Sequence, residues 1–193
     1  MAEGLDWGAM ALRTPMVRGT HANAWYHALT NRFGRERADA LIRDLGLAST
    51  IESASRQWIP LRSQMRLLDE IERRFGDGSY RVVRSLAAES VEYYPSVRRY
   101  FLRALPIRVI IETGASAYLR EFNHGRIEVE IHGSQALIKH FDWLSSPARC
   151  NAWLGVYEGI IRMRKSHATV DKSACTLEGD GYCGYIIHWD ESA

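Results

Sequence analysis

The chain has 193 residues, of which 46% are hydrophobic and 25% are charged, and its formal net charge is +2. These values are typical of one globular domain with a proper core, and so small a charge argues against a protein that binds nucleic acid. No apolar run approaches the roughly 18 residues of a membrane-spanning helix, and the N-terminus lacks the apolar stretch of a secretory signal. We therefore expect a cytoplasmic protein with no membrane span.

Helices are predicted for most of the first two thirds of the chain. We expect a flexible arm over residues 1–17 and a single domain over residues 18–193. Thr20 is placed to cap the helix predicted for residues 20–33. Pro60 suits the first turn of the helix at 60–75, and Pro106 interrupts the helical region at 93–122. The predicted helices cover residues 20–33, 35–47, 60–75, 79–92 and 93–122.

The pattern changes to strands after residue 124. Residues 125–133 alternate between aliphatic and polar side chains, which is the period of a half-buried strand. Ser146 and Pro147 begin a last amphipathic helix, and two strands near residues 167–177 and 182–189 form a closing hairpin. The fold class is therefore α+β, with the helical N-terminal two thirds packed on a small antiparallel sheet.

Three cysteines fall in this C-terminal part. Cys150 lies in the last helix, while Cys175 and Cys183 flank the glycine-rich turn of the hairpin. A two-residue turn would point the two hairpin thiols to opposite faces, and a three-residue turn would bring them to one face. The three thiols are thus a metal site, a redox pair with a bystander, or buried core residues. For zinc, Asp171 or His167 would be the nearest fourth ligand.

This arrangement of cysteines resembles the 4-vinyl reductase domain. The similarity is best over "CNAWLGVYEGI" and "DKSACTLEGDGYCGYIIHW". That domain is similar in fold to small subunits of the TRAPP trafficking complex and distantly to heme-NO-binding domains. In relatives that sense phenols the matching cysteines bind zinc together with an acidic residue. The resemblance implies Cys150, Cys175 and Cys183 as metal ligands. Its acidic position falls on Lys172, so we name Asp171, one residue away and on the other face of the strand, as the fourth candidate ligand.

The resemblance also implies an apolar cavity between the helices and the sheet. Its walls would include Phe101, Ile110, Trp153, Tyr157 and Trp189. Tyr157, His132 and His140 would supply polar groups that orient a ligand. Heme is disfavoured as a cofactor, because the Tyr-x-Ser-x-Arg element of heme-NO-binding domains is matched only by residues 94–98, which precede the sheet.

No catalytic motif is present in the sequence. There is no glycine-rich phosphate loop, no G-x-S-x-G element and no H-E-x-x-H element. We therefore expect a non-catalytic regulatory or adaptor domain that responds to an apolar small molecule and signals through a separate protein partner. It is expected to form a homodimer, because related domains pair through their helices. The alternatives are a scaffold whose cavity is filled by side chains and an enzyme that acts on a tetrapyrrole-like substrate.

Overall fold

A computed structural model describes residues 14–52, 57–141 and 144–190. A helical layer packs against a four-stranded antiparallel sheet, which confirms the predicted α+β class. The helices are α1 (Gly19–Phe33), α2 (Arg35–Asp44), α3 (Ala48–Glu52), α4 (Leu61–Phe75), α5 (Arg81–Ser90), α6 (Ser96–Ala104), α7 (Ile107–Glu121) and α8 (Pro147–Arg164). The strands are β1 (Met16–Arg18), β2 (Trp58–Pro60), β3 (Arg126–His132), β4 (Gln135–Phe141), β5 (Ala168–Ala174) and β6 (Cys183–Trp189).

The main sheet has the strand order β3-β4-β6-β5. The predicted alternation of β3 is confirmed, because Ile127, Val129 and Ile131 are half-buried while the residues between them are exposed. The predicted closing hairpin of β5 and β6 is also confirmed. Strand β4 was not predicted, although it pairs with both β3 and β6 and so joins the two hairpins into one sheet.

Residues 16–18 belong to a small second sheet. Residues 1–13 of the predicted arm lie outside the described residues, but Met16–Arg18 pair with Trp58–Pro60 as β1 and β2. Val17 is fully buried in this pairing. Helix α1 then begins at Gly19 with Arg18 as its cap residue, so the expectation that Thr20 caps the helix was wrong. The Thr20 hydroxyl lies instead 3.5 Å from a carboxylate oxygen of Glu121.

Helix α8 is the central element of the fold. Ser146 caps it as predicted, by accepting a hydrogen bond from the Arg149 amide. Its Gly155 and Gly159 face the backbone of α5 so closely that a Cβ atom at Gly159 would lie 2.5 Å from the Ala88 carbonyl oxygen. This close approach buries one face of α8 against the helical layer. Another part of the helix packs against β5, so that α8 lies between the two layers.

Pro106 separates α6 from α7, as the sequence predicts. Helix α6 buries only Leu102, and it is therefore the helix with the weakest anchor to the core among those of similar length. Two of its apolar side chains are largely exposed, Val97 at 67% and Tyr100 at 68%. Within the described part of the chain, none of the helices has the length and apolar character that crossing a bilayer requires.

Candidate functional site

A cavity of about 610 Å³ lies between the helical layer and the sheet. It is walled by α1, α4, α6, α7 and α8 and by apolar side chains of β3, β4 and β6. The exposed residues of its wall are found on the N-terminal end of α6 and on α7, so the cavity opens between these two helices. Phe101 of α6 is 51% exposed and lines the opening, which makes α6 the element shared by the cavity and the molecular surface.

Four of the five predicted wall residues do line this cavity. They are Phe101, Ile110, Trp153 and Tyr157, contributed by α6, α7 and α8. The fifth, Trp189, is buried at the end of β6 and is not part of the cavity wall. His132 is exposed at the end of β3, so the structure does not place it near the cavity. The fully buried His140 lies behind the wall, where its Nε2 is 2.7 Å from the Tyr157 hydroxyl.

Arg149 brings a positive charge into the cavity wall, which the sequence analysis missed. The residue lies in the first turn of α8 and is 2% exposed. Its Nη1 donates a hydrogen bond of 2.5 Å to the Leu144 carbonyl oxygen, and its guanidinium lies 5.9 Å from the Phe122 ring centroid. Burial lowers the pKa of the guanidinium, and nearby phenols oppose that change. The available signal was its position one residue before Cys150, on a helix already predicted to face the core.

A second polar cluster lies where α1 meets the end of α7. His21 Nε2 lies 3.2 Å from Oε2 of Glu121, and Arg98 Nη1 lies 3.5 Å from Oε1 of the same carboxylate. All three residues line the cavity, and so does Tyr94 beside them. Burial lowers the pKa of His21, and the hydrogen bond with Glu121 partly opposes this effect. In its neutral form the imidazole of His21 carries one nitrogen lone pair.

Tyr94 and Arg98 belong to the Tyr-x-Ser-x-Arg match. The sequence analysis discounted this match as a heme-binding element because it precedes the sheet. The element does precede the sheet, and α6 begins within it, at Ser96. The fold nevertheless brings both residues to the cavity, where the Arg98 guanidinium lies 4.3 Å from the Tyr94 ring centroid. Sequence position alone therefore gives a misleading view of where these side chains lie.

The three cysteines converge, and a β-bulge is the reason. Lys172 pairs with Tyr185, but Ala174 pairs with Gly184, so one residue of β5 is extra. Continuing that register sets Cys175 opposite Cys183, on the side of the sheet that faces α8. The sulfur atoms of Cys150, Cys175 and Cys183 all lie within 4.8 Å of one another, and the three residues are buried.

A lysine, and not an acidic group, completes this cluster. Lys172 Nζ donates a hydrogen bond of 2.7 Å to the Cys175 sulfur. Asp171 pairs with Ile186 on the opposite side of β5, is exposed, and is not grouped with the cysteines. A hydrogen bond from Cys150 lowers the pKa of Cys183, and the hydroxyls of Ser145 and Thr176 add to this effect. That the three cysteines hold a metal ion stays a prediction, and the structure does not bring Asp171 to them.

No protein-family model and no curated protein matches the chain. Among solved structures, the chain is similar to an H-NOX protein from S. oneidensis, with 13% identity and a TM-score of 0.73 over 90% of this chain and 96% of that chain. The same protein in its Fe(II)NO ligation state gives a TM-score of 0.72 at 13% identity, over 90% of this chain and 99% of that one. An oxygen-binding H-NOX domain related to soluble guanylate cyclases gives 0.65 at 12% identity, over 90% and 95%.

These similarities show a shared fold, and they correct two expectations. The distant resemblance to heme-NO-binding domains is confirmed at the level of fold, whereas 4-vinyl reductase and TRAPP subunits find no support. The expectation that heme is disfavoured was wrong, because the similar structures are heme proteins of the H-NOX class. That expectation relied on residues 94–98 preceding the sheet in the sequence, whereas the fold brings Tyr94 and Arg98 to the cavity. Zinc as a cofactor receives no support from these structures.

Proposed function

We propose that this chain is a non-catalytic sensory domain that binds heme in its cavity and communicates the state of the heme to a partner protein. The observation that carries the proposal is the cavity itself, an apolar space of about 610 Å³ with a buried guanidinium and a buried imidazole in its wall. Sites for small molecules and cofactors have volumes of roughly 300–1,000 Å³ and combine apolar walls with a few polar groups. The H-NOX-like fold supports the same class of ligand.

The side chains of the cavity fit the chemical groups of heme. Heme is a planar apolar ring that carries two carboxylates, and its iron takes nitrogen ligands and diatomic gases. Arg149 offers the positive charge of a guanidinium, a group well matched to a carboxylate. His21 offers an imidazole. Trp153 and Phe122 supply flat apolar wall and help to exclude water from the cavity.

Helix α6 provides a route from the cavity to a partner. Phe101 lines the opening, and Val97 and Tyr100 on the same short helix are 67% and 68% exposed. Because α6 buries only Leu102, its position can follow the contents of the cavity at a small energetic cost. We propose that a partner protein reads the ligand state from this helix. We also propose that the chain forms a homodimer, as expected from the domains it resembles.

Hemin titration of the purified chain tests the proposal. Hemin should bind stoichiometrically, with a sharp Soret band and a matching mass shift in native mass spectrometry. Iron-free protoporphyrin IX serves as a second probe, since the apolar wall and Arg149 act on the ring and its carboxylates alone. Native mass spectrometry also reports the oligomeric state.

A matched pair of variants locates the binding site. Gly114 lines the cavity, and a Cβ atom there would meet nothing within 4 Å, so Gly114→Trp places a large ring in the space without a clash at its root. Glu112→Trp adds the same ring on the exposed side of α7. Loss of hemin binding in Gly114→Trp but not in Glu112→Trp supports the cavity. Equal binding by both variants, or no binding by the unmodified chain, refutes the proposal.

A further inference from the structure

The wall of the cavity contains a single histidine within the described part of the chain, and it lies on the first helix. His21 lines the cavity from α1 and is 8% exposed. The helices that form the opening, α6 and α7, contain no histidine at all. An imidazole nitrogen that coordinates iron inside this cavity must therefore come from α1.

The surroundings of His21 resemble those of metal-binding histidines. Such histidines usually donate their other ring N–H to a carboxylate or a carbonyl, which fixes the tautomer and the orientation of the ring. Here Nε2 lies 3.2 Å from Oε2 of Glu121, and the Thr20 hydroxyl lies 3.5 Å from the same oxygen. With Nε2 directed at Glu121, Nδ1 is the nitrogen left to coordinate a metal. Ring contacts with Tyr94 and Phe122, at centroid distances of 5.9 and 5.3 Å, hold the imidazole in place.

The other ligand types of heme proteins are less suitable here. The three cysteines do not line the cavity. Three tyrosines do, but a tyrosine coordinates iron as the charged phenolate, and Tyr94, Tyr118 and Tyr157 are all buried. Tyr118 and Tyr157 are also engaged, with hydrogen bonds to the His124 carbonyl oxygen and to His140. His21 is thus the side chain of the cavity wall best placed to hold iron.

We infer that His21 would hold the iron of a bound heme through its imidazole and that Glu121 is the residue that positions His21. This inference rests on the proposed heme-binding function. The iron would then be held from α1, and the carboxylates of the heme would be held by Arg149 of α8, so the two contacts lie on different walls of the cavity. Arg98 Nη1 lies 3.5 Å from the other oxygen of Glu121 and helps to orient that carboxylate.

The test compares the hemin-loaded unmodified chain with His21→Ala and His27→Ala. His27 is an exposed histidine on the same helix, stacked on Tyr93 and absent from the cavity wall, so it is the matched control. We expect His21→Ala to lose the absorption and electron paramagnetic resonance signals of histidine-ligated heme, and free imidazole to restore them. His27→Ala should match the unmodified chain. Glu121→Gln should keep the histidine signals but weaken heme binding by about 10–100-fold.

Each outcome separates the inference from the proposed function. If the unmodified chain binds no hemin, both fail. If His21→Ala binds hemin with an unchanged spectrum, the heme function stands and the assignment of His21 is overturned. Should His21→Ala fail to fold, His21→Met provides a second variant, because a methionine ligand shifts the absorption spectrum and raises the reduction potential. A spectrum and potential unchanged in His21→Met would overturn the inference equally.

Discussion

The contact between α5 and α8 makes Gly155 the most informative position for a stability test. A Cβ atom at Gly155 would overlap the carbonyl oxygen of Arg84 and lie 2.7 Å from the Ala87 Cβ. The Gly155→Ala variant must therefore push the two helices apart. Because α8 also carries Arg149 and Trp153, the same movement would disturb the wall of the cavity.

The size of the effect follows from two opposing contributions. Overpacking of a tight contact costs about 1–3 kcal/mol, and the backbone-to-backbone contact here favours the upper end of that range. Replacing glycine by alanine inside a helix raises the free energy of unfolding by about 1 kcal/mol, because alanine has the higher helix propensity. The free energy of unfolding of Gly155→Ala should therefore fall by ~2 kcal/mol. In a domain of this size the melting temperature should fall by roughly 4–8 °C.

Chemical and thermal unfolding followed by circular dichroism measure this difference. Gly114→Ala is the control, since Gly114 lies inside α7 and a Cβ atom added to it would have no neighbour within 4 Å, and it should stabilise the protein by up to ~1 kcal/mol. Gly159→Ala should behave like Gly155→Ala, because its Cβ would lie 2.8 Å from Val91 Cγ2. A Gly155→Ala variant at least as stable as the unmodified chain would show that α5 and α8 do not pack as described.

Three further substitutions test groups whose environment the fold sets. Burial lowers the pKa of His140, so the stability that the neutral side chain contributes is present above pH ~6.5 and is lost as the pH falls below that value. In unfolding titrations at several pH values, His140→Gln should reduce the slope of stability against pH by up to ~1.4 kcal/mol per pH unit. Glu72 accepts hydrogen bonds from the amide of Tyr80 at 3.0 Å and from a neighbouring loop amide, so Glu72→Ala should cost ~1–3 kcal/mol in denaturant unfolding. Lys172 donates to the Cys175 sulfur at 2.7 Å, so Lys172→Met should cost ~1–3 kcal/mol in denaturant unfolding.

Each of these substitutions has a control that can contradict it. His188 is exposed on β6, and His188→Gln should leave the pH dependence of stability as it is. Glu36 is exposed in the first turn of α2, and Glu36→Ala should change the free energy of unfolding by less than ~0.5 kcal/mol. Lys172→Arg keeps a charged N–H donor and should lose less free energy of unfolding than Lys172→Met. A His140→Gln variant with an unchanged slope would mean that His140 is not buried in its neutral form.

Local signals in the sequence predicted the elements well. Pro106 separates two helices, Ser146 caps α8, and the alternation of residues 125–133 marks β3, because each depends on backbone geometry or on a repeat of two residues. The aromatic and aliphatic positions that would form a cavity wall were also visible, and four of the five lie in it. Strand β4 was missed, since its pairing partners on both sides lie elsewhere in the sequence.

The tertiary structure decided which polar side chains meet, because such meetings depend on contacts between residues that are far apart in the chain. His21 and Glu121 are one hundred positions apart and lie 3.2 Å from each other only because α1 and α7 close the same cavity. A single extra residue in β5 brings Cys175 to Cys183 and leaves Asp171 on the other side. The sequence by itself determined the helices, the strands and their apolar faces. The cavity, and the charges placed in its wall, depend on how those elements pack.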